Sequence, residues 1–219
     1  LAAIPNRLLQ PVNEKGLMSE ALLDYRSRGH QIIQHGFNHQ CPYTLETGRD
    51  VSTTESLKMI SQKERIEKIL EGRRLLEAVL GEPVTGYCGP GADDGDLLPL
   101  DAPLLHEEGY IWLKNAPGEL PVIKGEGTAS YPVMTDHSWG LTEENYEERL
   151  EAQKEYCRQT IAEGNSCNIK LHDPFTRSGY ENGIVIRWFD EMLTWLESRP
   201  EWDVEYLTLD EYYEKHQGS

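Results

Sequence analysis

The chain alternates short apolar runs with longer stretches in which apolar residues recur every three or four positions. The short runs suit strands and the longer period suits amphipathic helices, so their alternation predicts an α/β domain built on parallel strands. Residues 1–5 and 30–34 are expected as the first two strands, separated by a helix through 19–25 that Gly29 closes at the position a C-terminal cap prefers. Ser61 and Glu64 have the capping-box spacing and open the best-signalled helix. Its apolar face holds Ile66, Ile69, Leu70, Leu76, Val79 and Leu80, and Gly81 with Pro83 ends it. Two more helices are predicted over 142–162, with Tyr146, Leu150, Gln153, Cys157 and Ile161 near one face, and over 184–196, with Trp188, Phe189, Leu193 and Trp195. Further strands are expected at 85–88, 110–113, 131–134 and 167–171, and at 204–208 before a short helix capped by Thr208 with Glu211. No internal repeat or low-complexity linker interrupts this order, so residues 1–219 are expected as a single domain.

At 219 residues, roughly 70 to 75% of the unfolded surface can be buried, which supports one core without disulfide staples. The net charge of −17 excludes partners that are themselves polyanions: no basic run offsets repulsion from a nucleic-acid backbone or an anionic membrane surface. No stretch approaches the roughly 20 apolar residues that span a bilayer, so no membrane insertion is expected. Cys41, Cys88, Cys157 and Cys167 show neither a C-x-x-C pair nor a Cys/His zinc spacing. They are expected to be buried free thiols, and they leave the redox compartment open.

Chemistry concentrates after the strands, where parallel α/β folds build their sites. His35 and His39 stand four residues apart just past a strand, a spacing that brings two imidazoles within reach of one divalent cation. A bare H-x-x-x-H fits two solvated rings as readily. His172 ends a strand that Pro174 stops, where a near-neutral imidazole suits proton transfer. Asp136, His137, Ser138 and Trp139 form a third polar cluster, but no G-x-S-x-G nucleophile elbow accompanies it.

The run from Gly29 through His35-Gly36-Phe37-Asn38-His39 resembles the second motif of the polysaccharide deacetylases, the chitin-deacetylase-like carbohydrate esterases. Leu1 to Asn6 resembles the strand before it. Gly86-Tyr87-Cys88-Gly89-Pro90-Gly91 stands where that family has its Arg-Pro-Pro-Tyr-Gly loop, and Leu171-His172-Asp173 matches its last motif. The resemblance covers essentially the whole chain. It implies a distorted (β/α) barrel of about seven strands and a divalent metal ion, commonly zinc, held by His35 and His39 with an aspartate. It also implies an oxyanion-binding backbone amide at Gly91 and His172 as general acid, oriented by Asp136. Trp139 and Tyr131 are candidates for stacking on a sugar ring, with rim or core packing as the plainer alternative.

The family's paired-aspartate motif, which supplies the base and the third ligand, is expected upstream of Leu1, so a first βα unit is expected to be missing from this sequence. The alternative is that Asp93, Asp94, Asp96 or Asp136 substitutes for it. Cys88 replaces the arginine that usually holds the base. The acidic stretch 42–54 is a candidate cleft wall. The implied activity is metal-dependent removal of acetyl groups from a carbohydrate substrate, by N- or O-deacetylation. The alternatives are a non-sugar amidohydrolase acting on cyclic amides or ureides, and an inactive carbohydrate-binding relative. A polymeric substrate implies a secreted or periplasmic enzyme; the oligomeric state is not readable.

Overall fold

A computed structural model describes residues 1–38, 61–89, 101–113, 129–130, 136–172 and 179–216. The chain divides into two compact units, Leu1–Tyr131 with Leu207–Ser219, and Pro132–Tyr206.

The first unit holds five short strands, β1 (Ala2–Ala3), β2 (Ile33–His35), β3 (Gly86–Cys88), β4 (Trp112–Leu113) and β5 (Ala129–Ser130). All four pairings are parallel and follow chain order, with Ala3 opposite Gln34, His35 opposite Cys88, Tyr87 opposite Leu113, and Leu113 opposite Ser130. Sequential parallel order needs a crossover between each pair, and the helices supply it where the crossover is described. The first strand is shorter than expected, because Pro5 opens a helical turn over Pro5–Leu9: its missing N–H costs nothing at that position. The second begins three residues later than expected and ends on His35.

Helix α1 (Leu17–Ser27) is held at its start by Asn13, whose Oδ1 accepts from the amides of Met18 and Ser19 at 3.0 and 3.2 Å. Gly29, at φ +87°, turns the chain out of it as its sequence position predicts. Helix α2 (Gln62–Leu80) has the expected capping box, with Ser61 N donating to Glu64 Oε2 at 2.9 Å and Glu64 N to Ser61 Oγ at 3.3 Å. Its buried line, Arg65, Ile69, Gly72, Leu76 and Leu80, repeats at three and four residues and packs on the sheet. Leu76 and Leu80 join Ala3, Leu22, Ile32 and Val84 in one core cluster; Ile69 joins Tyr87, Leu105, Tyr110 and Leu113 in another. Arg65 forks onto buried Asp101 with two contacts of 2.9 Å, tying α2 to the start of α3 (Ala102–Glu107).

The second unit is built on α4 (Tyr146–Ala162) and α5 (Ile184–Glu197). Tyr146, Leu150 and Cys157 from α4 meet Ile184, Val185, Trp188 and Met192 from α5 in one core cluster. The expected α4 face is recovered. On α5, Phe189 and Trp195 are only partly buried, and Ile184, Val185, Met192 and Leu196 lie deeper.

Three expectations are corrected. Residues 167–171 keep the alternation of a strand, with Cys167, Ile169 and Leu171 packed on the core, but they form no strand. Alternating apolar side chains line one face without supplying a ladder partner. Residues 204–208 are likewise irregular, and only the helix after them, α6 (Leu209–His216), forms, capped by Thr208 and Glu211 as expected. Finally, Cys157 and Cys167 are not free thiols but a disulfide. The last turns of α4 present Cys157 to the core, and Gly164 at φ +78° turns the chain back so that Cys167 comes alongside. Cys88 Sγ donates to the Gly89 carbonyl at 3.6 Å, and Cys41 lies outside the described residues. The expected strand at 131–134 also lies outside them. Among the described residues, no helix is long and apolar enough to cross a membrane.

Candidate active site

In the first unit the candidate chemistry sits at the carboxyl end of β2. Strand alternation sends Gln34 and His35 to opposite faces. Gln34 is fully buried; its Nε2 donates to the carbonyls of Gly36 at 2.9 Å and Ile69 at 3.0 Å, and its Oε1 accepts from Tyr110 Oη at 2.6 Å. Burial pushes the Tyr110 phenol far above its ordinary range, so it stays a neutral donor. With Gln34 locked inward, His35 is fixed outward at the strand end.

The Cys88 carbonyl on the neighbouring strand accepts from Gly36 N at 3.0 Å and from His35 Nδ1 at 2.9 Å. A carbonyl only accepts, so Nδ1 carries a ring proton, and in the neutral ring Nε2 holds the lone pair. That is the tautomer and the outer-shell hydrogen bond of a metal-ligating histidine, so His35 fits the role of a ligand to a divalent cation. The bond is to Cys88's backbone, so it does not depend on the side chain at position 88. His39, Gly91, Tyr131, Asp93, Asp94, Asp96 and the stretch 42–54 lie outside the described residues. Among the described residues, no group of three or more His, Cys, Asp or Glu gathers to hold a metal.

In the second unit the structure brings together three residues singled out in the sequence, Asp136, Trp139 and His172. Asp136 Oδ1 accepts from Trp139 N and lies on Ser138 Oγ, both at 3.1 Å, so the side chain closes a turn on its own following backbone. Ser138, fully buried, also lies 3.0 Å from the Lys170 carbonyl, so its one hydroxyl proton serves two acceptors and joins the turn to the chain before His172. Asp136 Oδ2 stands 2.8 Å from His172 Nδ1. The ring N–H is not aimed along that line, so this is a close polar contact and not an aligned hydrogen bond. Burial pushes the Asp136 carboxyl up, but His172, Ser138 and Lys170 outweigh it and hold the group below its ordinary value. The Trp139 indole, about half exposed, meets the His172 ring edge-to-face with centroids 4.7 Å apart. Next to them, burial lowers His137, Arg149 lowers it further, and Asp136 only partly opposes, so that ring is neutral at pH 7. An ionised carboxylate against an imidazole, walled by an indole, can hold and release a proton.

No protein-family model and no curated protein matches the chain. Among solved structures, the Puue allantoinase is similar at 15% identity and a TM-score of 0.65, covering 94% of this chain and 65% of that one. A probable polysaccharide deacetylase from Pseudomonas aeruginosa PAO1 is similar at 16% identity and a TM-score of 0.62, covering 91% and 64%. The Xyl-CE4 domain of a multidomain xylanase from the hindgut metagenome of Trinervitermes trinervoides follows at 12% and 0.51, covering 98% and 78%. The chain has a polysaccharide-deacetylase fold. It spans less than two thirds of the length of the first two of these structures.

His35 ends β2 in the first unit, and His172 ends the irregular segment 167–172 in the second. Two features escaped the sequence reading. The clamp made by Ser138 could have been sought in the Asp-x-Ser spacing, which favours a side-chain-closed turn. The Cys157–Cys167 bond had a fainter signal, a cysteine on the buried face of a helix end and another three residues past the glycine that reverses the chain.

Proposed function

We propose that the protein is a metal-dependent hydrolase that removes acetyl groups from a carbohydrate. The observation that carries this reading is His35 at a parallel strand end, with Nδ1 donating to the Cys88 carbonyl, the outer hydrogen bond that a metal-ligating imidazole makes. The deacetylases of the same fold support the substrate class. In this reading His35 and His39 hold a divalent cation, zinc first among those that two imidazoles suit. When bound, such a cation lowers the pKa of a water and polarises an acetyl carbonyl. His172 gives its proton to the leaving group, and Asp136, 2.8 Å from its Nδ1, orients the ring. Trp139 offers an apolar face to the sugar, and the Gly91 amide steadies the oxyanion. The disulfide supports an oxidising, extracytoplasmic location.

The test is acetate release from chitooligosaccharides and acetylated plant glycans by the full chain. EDTA and His35→Ala should each abolish turnover, and added zinc should restore only the EDTA-treated wild type. Full activity in EDTA, or in His35→Ala, overturns the reading. The allantoinase of similar fold favours a second one, hydrolysis of a cyclic ureide or small amide. A panel of such amides beside the acetylated glycans separates the two by which class is turned over.

A further inference from the structure

The chain from Cys167 to His172 has the alternating apolar side chains of a strand, Cys167, Ile169 and Leu171, but no ladder to hold it, so something else must fix where His172 stands. Three ties do so, spaced along the segment. Cys167 is bonded to Cys157 on α4. The Asn168 carbonyl accepts from Gln153 Nε2 at 3.3 Å, from a fully buried side chain one helical turn before Cys157. The Lys170 carbonyl faces Ser138 Oγ at 3.0 Å, and Ser138 also touches Asp136. Two of the three ties run to α4 and one to the turn that carries the carboxylate. The covalent tie is the one that cannot slip.

We propose that the Cys157–Cys167 disulfide is a positioning device for His172, setting the imidazole against Asp136 by anchoring the start of a segment that Ser138 holds near its end. The inference rests on His172 being the proton donor, and it adds that catalysis is graded by the redox state of a bond five residues away in the chain. Cutting the bond is a two-electron reduction. A phosphine attacks one sulfur, the S–S bond breaks, and the other sulfur leaves as a thiolate that takes a proton from water. Hydroxide then carries oxygen to phosphorus, giving phosphine oxide and releasing the second thiol. Gln153 and Ser138 alone then hold a segment without strand pairing, and His172 loses its fixed approach to Asp136.

The experiment compares the full metal-loaded chain as wild type, phosphine-reduced wild type, C157A/C167A and His172→Ala. Reduction and C157A/C167A are expected to lower kcat about 10- to 100-fold, the scale of a misplacement of about 1 Å, with KM within about twofold. The nitrogen NMR shift of His172 Nδ1 should move away from its Asp136-paired value, and reoxidation should restore both. An unchanged His172 shift after the bond is cut overturns the proposal even if kcat falls. So does global unfolding on reduction, because the bond is then a staple of the whole unit. If C157A/C167A does not fold, the reduced wild type decides alone. His172→Ala separates the two levels. Full activity in that variant overturns the role of His172 as acid, while the NMR shift continues to report whether the disulfide positions the ring.

Discussion

The two units place their chemistry by different means. In the first, β2 sets His35, and the backbone register opposite β3 supplies a hydrogen-bond partner; the buried amide of Gln34 locks the strand from behind. In the second, Asp136 and His172 lie on irregular chain, and their positions depend on side-chain ties from Ser138 and Gln153 and on a covalent bond. A ladder spreads its constraint over several hydrogen bonds, so single substitutions leave it standing. A set of point ties concentrates the constraint, so each is separately breakable.

The largest expected effect tests whether this difference extends to packing. Leu76 and Leu150 are both fully buried, one in each unit. Replacing either with alanine should cost about 2 to 5 kcal/mol in urea unfolding, because both leave a cavity in a closed core. Similar costs would show that the units differ in how they hold polar groups and not in how they pack. A cost below about 1 kcal/mol for Leu150→Ala would break that view.

Next comes the bond itself. Closing a loop with a sequence separation of 10 restricts the unfolded chain by about 2.5 to 3 kcal/mol in the chain-entropy account. Reduction should therefore weaken the second unit by about that much. Amide exchange should quicken from Cys167 to His172 while the Ile33–His35 amides keep their protection. Equal quickening in both places would contradict the separation drawn above.

Legibility in the sequence divides along the same line. Helix α2 is announced by Ser61, Glu64 and Gly81, because capping and termination are local chemistry written within a few residues. His35 is announced by its motif and delivered by a strand of the expected kind. The 167–171 segment shows the limit of periodicity: alternation reports which side of a segment is buried, and not whether another strand lies beside it. The Cys157–Cys167 bond and a serine bridging two stretches 32 residues apart are tertiary events, and the Asp-x-Ser spacing and the glycine before Cys167 are only weak local traces of them.

A smaller effect probes the lock behind β2. A Cβ at Gly72 would come within 2.5 Å of Gln34 Nε2 and 3.0 Å of Pro5. The amide group cannot simply swing aside, since it makes three hydrogen bonds in a dry site. Gly72→Ala should destabilise by about 1 to 2 kcal/mol, the overpacking cost exceeding the gain of about 1 kcal/mol from better helix propensity. A stabilised variant would mean that the lock is soft.

The smallest effect concerns the charge at Asp136. Asparagine keeps the Oδ1 acceptor for Trp139 N and Ser138 Oγ, so Asp136→Asn removes the charge while leaving the turn closed. The carboxyl is held below its ordinary value in the folded protein, so the unfolded chain binds its proton first as pH falls. The stabilisation from this group is therefore complete above the ordinary carboxylate pKa of about 3.9 and is lost as pH drops through the lower folded value. Wild type should melt above Asp136→Asn at pH 6, and the gap in Tm should shrink steadily between about pH 4 and the acid limit. A gap that stays constant or widens toward acid would mean that His172 and Lys170 do not stabilise the Asp136 charge. The polar cluster would then be held by its hydrogen bonds and the disulfide alone.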